Sequence, residues 1–261
     1  LKLNFYAICA LGLVRPQNQD NLYINGVFRK DVADQSVFKH DGDILKRGLF
    51  AVADGMGGEK HGELASLIAV QAMDTINLSD DGQSIADYLI ERNAAICDLI
   101  KKNNGVRIGS TFAGLNINEN KADIVNIGDS RIYLLRDEEI SQLSRDHTSV
   151  QQMIDLNILT KEAARSDPNR HKLTQHLGIL PSEMLIEPYV TQTVIQENDI
   201  FLLCSDGLTD MLDDSAIEAV LKSNGKLDEK AEILYSDALQ KGGKDNITII
   251  LVQVVKRRLF K

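Results

Sequence analysis

The chain has no apolar run near the roughly 18 residues needed to cross a bilayer, no block of lysine and arginine, and no CxxC pair of cysteines. Each absence removes a class of function. Without a spanning run, and with a start LKLNFYAICALG that lacks a basic leader and cleavage site, no membrane span is expected and a cytoplasmic setting is. At a net charge of -9 with no basic block, the chain offers nothing to track a phosphate backbone, so nucleic acid is not an expected partner. Cys9, Cys97 and Cys204 lie in apolar or helical patterns, which predicts reduced, buried thiols rather than a disulfide framework. There is no internal repeat, low-complexity tract or Pro/Gly/Ser-rich linker, and a single domain over 1–261 is the economical organisation. Hydrophobic residues at 43% and charged residues at 26% suffice for a sizeable core.

What is present falls into short elements. Residues 3–10, 22–27, 49–53, 109–116, 121–127, 131–136, 186–195, 200–204 and the closing ITIILVQVV read as strands. The run 109–136, with its two tight connections NINENK and GDS, reads as an antiparallel meander. Apolar residues at helical spacing predict helices over 61–77, 83–103, 215–222 and 228–240. Residues 28–48 are charged and aperiodic, and read as an inserted loop or extended hairpin. Residues 143–178 are polar and short-helical, with Met153, Ile154 and Ile158 as apolar anchors; they read as a surface excursion. Antiparallel groups separated by helix pairs predict an α+β fold.

The chemistry concentrates in aspartates at strand ends. In LFAVADGMGG an apolar strand rises to Asp54 and breaks on Gly55, Gly57 and Gly58 before a helical pattern, an arrangement that lets carbonyls approach whatever the carboxylate binds. Asp20 in RPQNQDN, Asp129 in NIGDSR, Asp206 after IFLLCS and Asp245 in GGKDN occupy like settings. Any one alone is an ordinary turn residue. Together they predict an oxygen-only site that selects magnesium or manganese over zinc. Two such ions about 4 Å apart can acidify a water and stabilise in-line displacement at phosphorus. A calcium helix-loop-helix is excluded, because these acids are spread along the chain rather than packed in one loop.

The ordered motifs RPQNQD, VADGMGG followed by GELAS, GST, NIGDSRIYLL, SRDHT, LLCSDGLTDML and GGKDNIT resemble those of the metal-dependent PP2C-type serine/threonine protein phosphatases in their compact bacterial form. The resemblance implies a β-sandwich of two antiparallel sheets flanked by helix pairs, with the metals at one edge and residues 143–178 as a flap. It implies that Asp54 bridges two ions with the Gly55 carbonyl on one of them, and that Asp206 and Asp245 hold the other. Asp20 then supports the Gly55-side ion, and Asp129 helps form a third, looser site. Arg15 matches the arginine that grips the substrate phosphate, as its paired donors suit. The implied activity is hydrolysis of phosphoserine and phosphothreonine in proteins, opposing a kinase, by a monomer.

Two departures stand out. Where many bacterial relatives carry histidine after DGMGG, this chain has Glu59, with His61 two residues on. The general acid is left open between His61, Glu59 and metal-bound water. His147 reads as a structural hydrogen-bonding residue, and Asn246 as an organiser of its turn; His40, His171 and His176 carry no partner pattern. Two other readings keep the fold: a non-catalytic sensor module, and a phosphatase of a small phosphorylated metabolite. Intact acids weigh against the first, and the absence of a deep apolar pocket signature against the second.

Overall fold

The computed structural model describes residues 2–57, 61–76 and 83–255. Its first part runs β1 (Lys2–Ala10), β2 (Asp20–Ile24), β3 (Val27–Phe28), β4 (Phe38–Leu45), β5 (Arg47–Met56), α1 (Gly62–Val70) and α2 (Gln83–Lys102). The middle comprises β6 (Gly109–Ser110), β7 (Phe112–Asn118), β8 (Lys121–Ile127), β9 (Arg131–Arg136), β10 (Glu139–Gln142), α3 (Ser149–Asp155) and α4 (Lys161–Arg165). The last part is β11 (Tyr189–Val194), β12 (Ile200–Cys204), α5 (Asp206–Thr209), α6 (Asp214–Lys222), α7 (Leu227–Gln240) and β13 (Ile247–Val255).

Two antiparallel sheets result. One has the order β10-β9-β12-β13-β1-β4, the other β11-β8-β7-β5-β2-β3 with β6 paired to β5. The central strands are apolar on both faces, because each is covered twice. In β1, Leu3, Phe5, Ala7 and Cys9 face the other sheet, while Ile8 and Ala10 face helices. ITIILVQVV divides the same way, with Ile250, Val252 and Val254 between the sheets and Ile247, Ile249 and Leu251 outside. Helices α1 and α2 cover the second sheet through Ala65, Ala69, Ile85, Leu89 and Ile96, and α6 and α7 cover the first through Ile217, Leu221, Ala231 and Leu234. The helix-sheet-sheet-helix sandwich is the one the sequence motifs implied. Among the described residues, no helix is long and apolar enough to cross a membrane.

Residues 109–136 do not form one meander. β7 and β8 pair from Phe112 opposite Ile127 to Asn118 opposite Lys121, but β9 pairs with β10 and β12 in the other sheet. Gly128, at φ +97°, turns the chain out of one sheet toward the other. Asp129 is therefore carried on a crossover between sheets rather than in a hairpin.

Nor is 28–48 a free loop or hairpin. Its second half is β4, which pairs along β1 from Lys2 opposite Leu45 to Cys9 opposite Phe38. The polar KHDGDIL hides this strand because an edge strand with one solvated face carries charge. The helix expected over 61–77 is split into α1 and a single 3-10 turn, Met73–Thr75. In the last turn of α1 the Tyr88 hydroxyl donates to the Ala69 carbonyl at 2.9 Å, satisfying that end of the helix from outside.

Residues 143–178 are not anchored on Met153 and Ile158. Met153 is 39% and Ile158 69% exposed and Ile154 is only half-buried, while Val150, Ala164 and Leu177 are the buried apolar residues. The segment is held by polar ties at its base. Arg131 forks onto Asp146, with Nη2 to Oδ2 at 2.7 Å and Nε to Oδ2 at 3.0 Å, and Ser110 bridges to Leu177.

Candidate metal centre

Both sheets bring strand ends to one edge, and the five aspartates sit there. β2 begins at Asp20, β5 nears its end at Asp54, the β8–β9 crossover carries Asp129, Asp206 opens α5 after β12, and Asp245 precedes β13. A cleft of about 460 Å³ is lined by Arg15, Asp54, Gly55, Asp129, Asp206 and Asp245, with His171, Asp210 and Asn246 among the others. Asp20 lies beneath it, opposite Asp54 in the β2–β5 register.

The buried carboxylate of Asp20 is gripped at one oxygen only. Its Oδ2 accepts from Ser205 Oγ at 2.7 Å and Thr248 Oγ1 at 2.6 Å, while Oδ1 is buried with no partner among the described residues. Burial pushes its pKa up to about 7, against the two hydroxyls that favour the anion. Asp54 is raised well above the ordinary carboxylate range, by burial first and then by Asp20, Asp206, Asp129 and Asp245. Its backbone is fixed by the GST motif: Asp54 N donates to Thr111 Oγ1 at 3.0 Å, and Ser110 Oγ donates to Asp54 O at 3.1 Å. Asp129 is raised by burial and then by Asp206 and Asp146, with Arg131 and His171 opposing.

Asp206 leaves Oδ1 buried with no partner among the described residues, and its Oδ2 lies 3.5 Å from His171 Nδ1. Asp245 takes Arg15 Nη2 at 2.5 Å on Oδ2 and its neighbour's Asn246 N at 2.8 Å on Oδ1. Arg15, expected to grip the substrate phosphate, is here an ion-pair partner of one candidate ligand. That contact raises the guanidinium pKa further and keeps it charged.

The turn before Asp20, rather than its own, is what the Asn246 side chain ties down. The Asn246 Oδ1 accepts from Gln19 N at 2.8 Å, and its Nδ2 donates to Leu11 O at 2.9 Å and Gln17 O at 3.1 Å. His147 is likewise structural, its Nδ1 accepting from Gly128 N at 3.2 Å and burial lowering its pKa. All three cysteines are free and buried.

His61 caps α1 in the left-handed region at φ 73°, with no side-chain capping bond, and is not among the described residues that line the cleft. Glu59 lies outside the described residues. His171 was missed. Its Nε2 is 3.2 Å from Asp210 Oδ2, and hydrogen bonds to Asp206 and Asp210 push its pKa up to about 10. One ligand atom each from Asp129, His171 and Asp206 lies within 4.8 Å of the others. Nothing local in DPNRHKL signals this, since both acid partners are far along the chain.

The donor set fits a hard cation. The five acids present oxygens alone, two of those oxygens are buried without partners among the described residues, and mutual repulsion holds several in a state that a divalent charge would relieve.

A family model for protein phosphatase 2C matches residues 23–241. The serine/threonine protein phosphatase PstP of Mycobacterium tuberculosis is 32% identical over 260 residues, covering 98% of this chain; the chain spans only 46% of that relative's length. Protein phosphatase PhpP of Streptococcus pneumoniae is 34% identical over 240 residues, which are 88% of this chain and 96% of PhpP. The crystal structure of the PstP catalytic domain in complex with two manganese ions is similar at a TM-score of 0.78 and 30% identity, covering 97% of this chain and 100% of that one.

Proposed function

Because the chain belongs to the protein phosphatase 2C family, we propose that it hydrolyses phosphoserine and phosphothreonine in proteins at a centre of two manganese or magnesium ions. The observation that carries this reading is the convergence of Asp20, Asp54, Asp129, Asp206 and Asp245 at one sheet edge, with Oδ1 of Asp20 and of Asp206 buried and without partners among the described residues. Asp54 would bridge the ions with the Gly55 carbonyl on one, Asp206 and Asp245 would hold the other, Asp20 would support the first, and Asp129 would serve a third. Bound there, the ions supply Lewis acidity toward phosphate and lower the pKa of a water.

The protein's own residues do the rest. Arg15 stays charged at the mouth of the cleft and offers its remaining donors to phosphate oxygens. The carboxylates hold negative charge on one wall, so an anionic ester approaches only where cations and Arg15 offset it. The general acid stays open between His61, Glu59 and metal-activated water. The setting proposed is a cytoplasmic monomer that reverses a serine/threonine kinase, acting as a single phosphatase domain.

Hydrolysis of p-nitrophenyl phosphate and of phosphothreonine peptides, with added manganese and with chelator, tests the proposal. Manganese-dependent turnover that favours the peptides over sugar phosphates supports it. No turnover with any divalent metal leaves the binding-module reading, and faster turnover of sugar phosphates leaves the metabolite reading.

A further inference from the structure

The segment between β3 and β4 reaches into the candidate centre from behind. Asn25 and Gly26 both hold positive φ, 44° and 95°, the pair that a tight two-residue hairpin turn requires. The turn lays β3 on β2, with Tyr23 opposite Phe28. At the next position the side chain of Asn21 takes over from the ladder: its Oδ1 accepts from Arg29 N at 3.1 Å and its Nδ2 donates to Arg29 O at 3.0 Å. Arg29 is thereby turned inward and is 5% exposed.

A buried guanidinium ordinarily meets a carboxylate. The described partners of Arg29 are instead main-chain carbonyls and a thiol. Nη1 donates to Asp20 O at 2.6 Å, Nη2 donates to Asp34 O at 2.8 Å, and Nη1 lies 3.9 Å from Cys9 Sγ. A rigid planar fork that joins two carbonyls sets the distance between them. Gln35 adds a second tie, its Oε1 accepting from Asn18 N at 2.6 Å; Asn18 Oδ1 in turn accepts from Asp20 N at 3.0 Å. Asp20 is thus held at its backbone N–H by Asn18, at its carbonyl by Arg29, and at Oδ2 by Ser205 and Thr248. Among the described residues only Oδ1 is left without a partner.

We propose that residues 29–37 are a clamp, with Arg29 as its positioning residue, that presets Asp20 for a divalent cation; this rests on the metal-dependent reading above. The segment that looked like an insertion then has a task within the site. Positioning and charge act in opposite directions here, since a nearby cation repels a divalent ion while a fixed carboxylate attracts it. Charge-preserving substitutions separate the two.

The test is calorimetric titration of the full chain with Mn²⁺, for the unaltered protein, Arg29→Lys and Gln35→Ala, beside melting curves taken with chelator. Lysine keeps the charge and loses the fork; alanine removes the amide that holds Asn18. The expected result is a Mn²⁺ dissociation constant raised about tenfold in Arg29→Lys and about threefold in Gln35→Ala, the scale on which groups behind a ligand tune a metal. Lowered melting temperatures with unchanged Mn²⁺ binding make the loop merely structural and overturn the proposal. Should Arg29→Lys not fold, Gln35→Ala at its half-buried position decides alone, and unchanged affinity there overturns it. An unaltered protein that takes up no Mn²⁺ removes the metal reading itself, which the variants' behaviour cannot do.

Discussion

Asp20 and Asp54 are direct partners in the antiparallel register of β2 and β5, so adjacent strands deliver two carboxylates side by side at the candidate centre. Like charges placed opposite one another destabilise a sheet. Burial sharpens the conflict, and both groups hold pKa values above the ordinary carboxylate range for that reason first. The fold thus maintains a repulsive cluster that only protons or cations relieve.

Asp54→Asn separates the cost of that cluster from its use. Manganese-dependent hydrolysis should fall at least about a thousandfold, the equivalent of roughly 4 kcal/mol of transition-state stabilisation. With chelator present, the same variant should melt higher than the unaltered protein, by about 2–4 °C for each kcal/mol of repulsion removed. Turnover assays and paired melting curves read the two effects. A variant that melts lower without metal would mean that the Asp54 carboxylate is not under repulsion.

The pH dependence of the metal-free protein follows from Asp20. Its native pKa is pushed up to about 7 from the ordinary 3.8 of an aspartate. Between those values the native state binds a proton that the unfolded chain does not, so stability rises as pH falls through 7 and is lost as pH rises through it. In chelator the melting temperature should be higher at pH 6 than at pH 8. Saturating Mn²⁺ should reverse the order, because protons then compete with the cation for the same carboxylates. A chelated protein that is more stable at pH 8 contradicts the shift.

The strand-end acids were legible because each announces itself locally: LFAVA stops at Asp54 on a glycine, and IFLLCS stops at Asp206 in the same way. Strand partners were not legible. That β9 leaves β8 for β12 depends on contacts between residues far apart in sequence, as does the attachment of His171 to Asp206 and Asp210. β4 escaped because an edge strand tolerates the polar side chains that also mark loops. Met153 and Ile158 misled for the converse reason: apolar spacing predicts a buried face, yet a segment this small is held by the Arg131–Asp146 fork and leaves both side chains exposed.

Arg15→Ala should act on substrate binding rather than on stability. The side chain is 55% exposed and its partner Asp245 31%, so the pair contributes at most about 1 kcal/mol to the fold. A charged contact to phosphate is worth more, about 1.5–3 kcal/mol. KM for a phosphothreonine peptide should therefore rise about tenfold or more while the melting temperature hardly moves. Arg15→Lys should recover part of the loss, since it restores charge without the fork. Steady-state kinetics decide, and an unchanged KM would remove Arg15 from phosphate recognition.

Asp199 supplies the opposite case, a buried carboxylate that is not among the residues lining the cleft. It is 1% exposed and takes Arg136 through Nε at 2.9 Å and Nη2 at 2.7 Å, with Gln196 N at 2.7 Å on the same carboxylate. Asp199→Ala leaves a partly buried guanidinium and a backbone donor without their acceptor. Denaturant unfolding should show a loss of about 3 kcal/mol or more. Turnover per folded molecule should stay as it was, and a matching fall in turnover would tie this pair to the centre.

Gly55→Ala tests whether close backbone approach, rather than the acids alone, makes the centre. A Cβ at Gly55 would stand 2.1 Å from Gly62 O and 2.6 Å from Gln19 O, nearer than any real methyl comes to an oxygen. Gly55 N also donates to Gln19 O at 3.2 Å, so the end of β5, the start of α1 and the turn before Asp20 meet at this residue. The methyl must push at least one of them away, a strain of about 1–3 kcal/mol that a fold with three apolar layers survives. What does not survive is the spacing of Asp54 and Asp20, which flank the displaced peptides. The variant should melt cooperatively at a reduced temperature, bind Mn²⁺ at least about tenfold more weakly, and lose turnover in proportion. Retained Mn²⁺ affinity in a folded Gly55→Ala protein would show that the carboxylates find the cation without this packing.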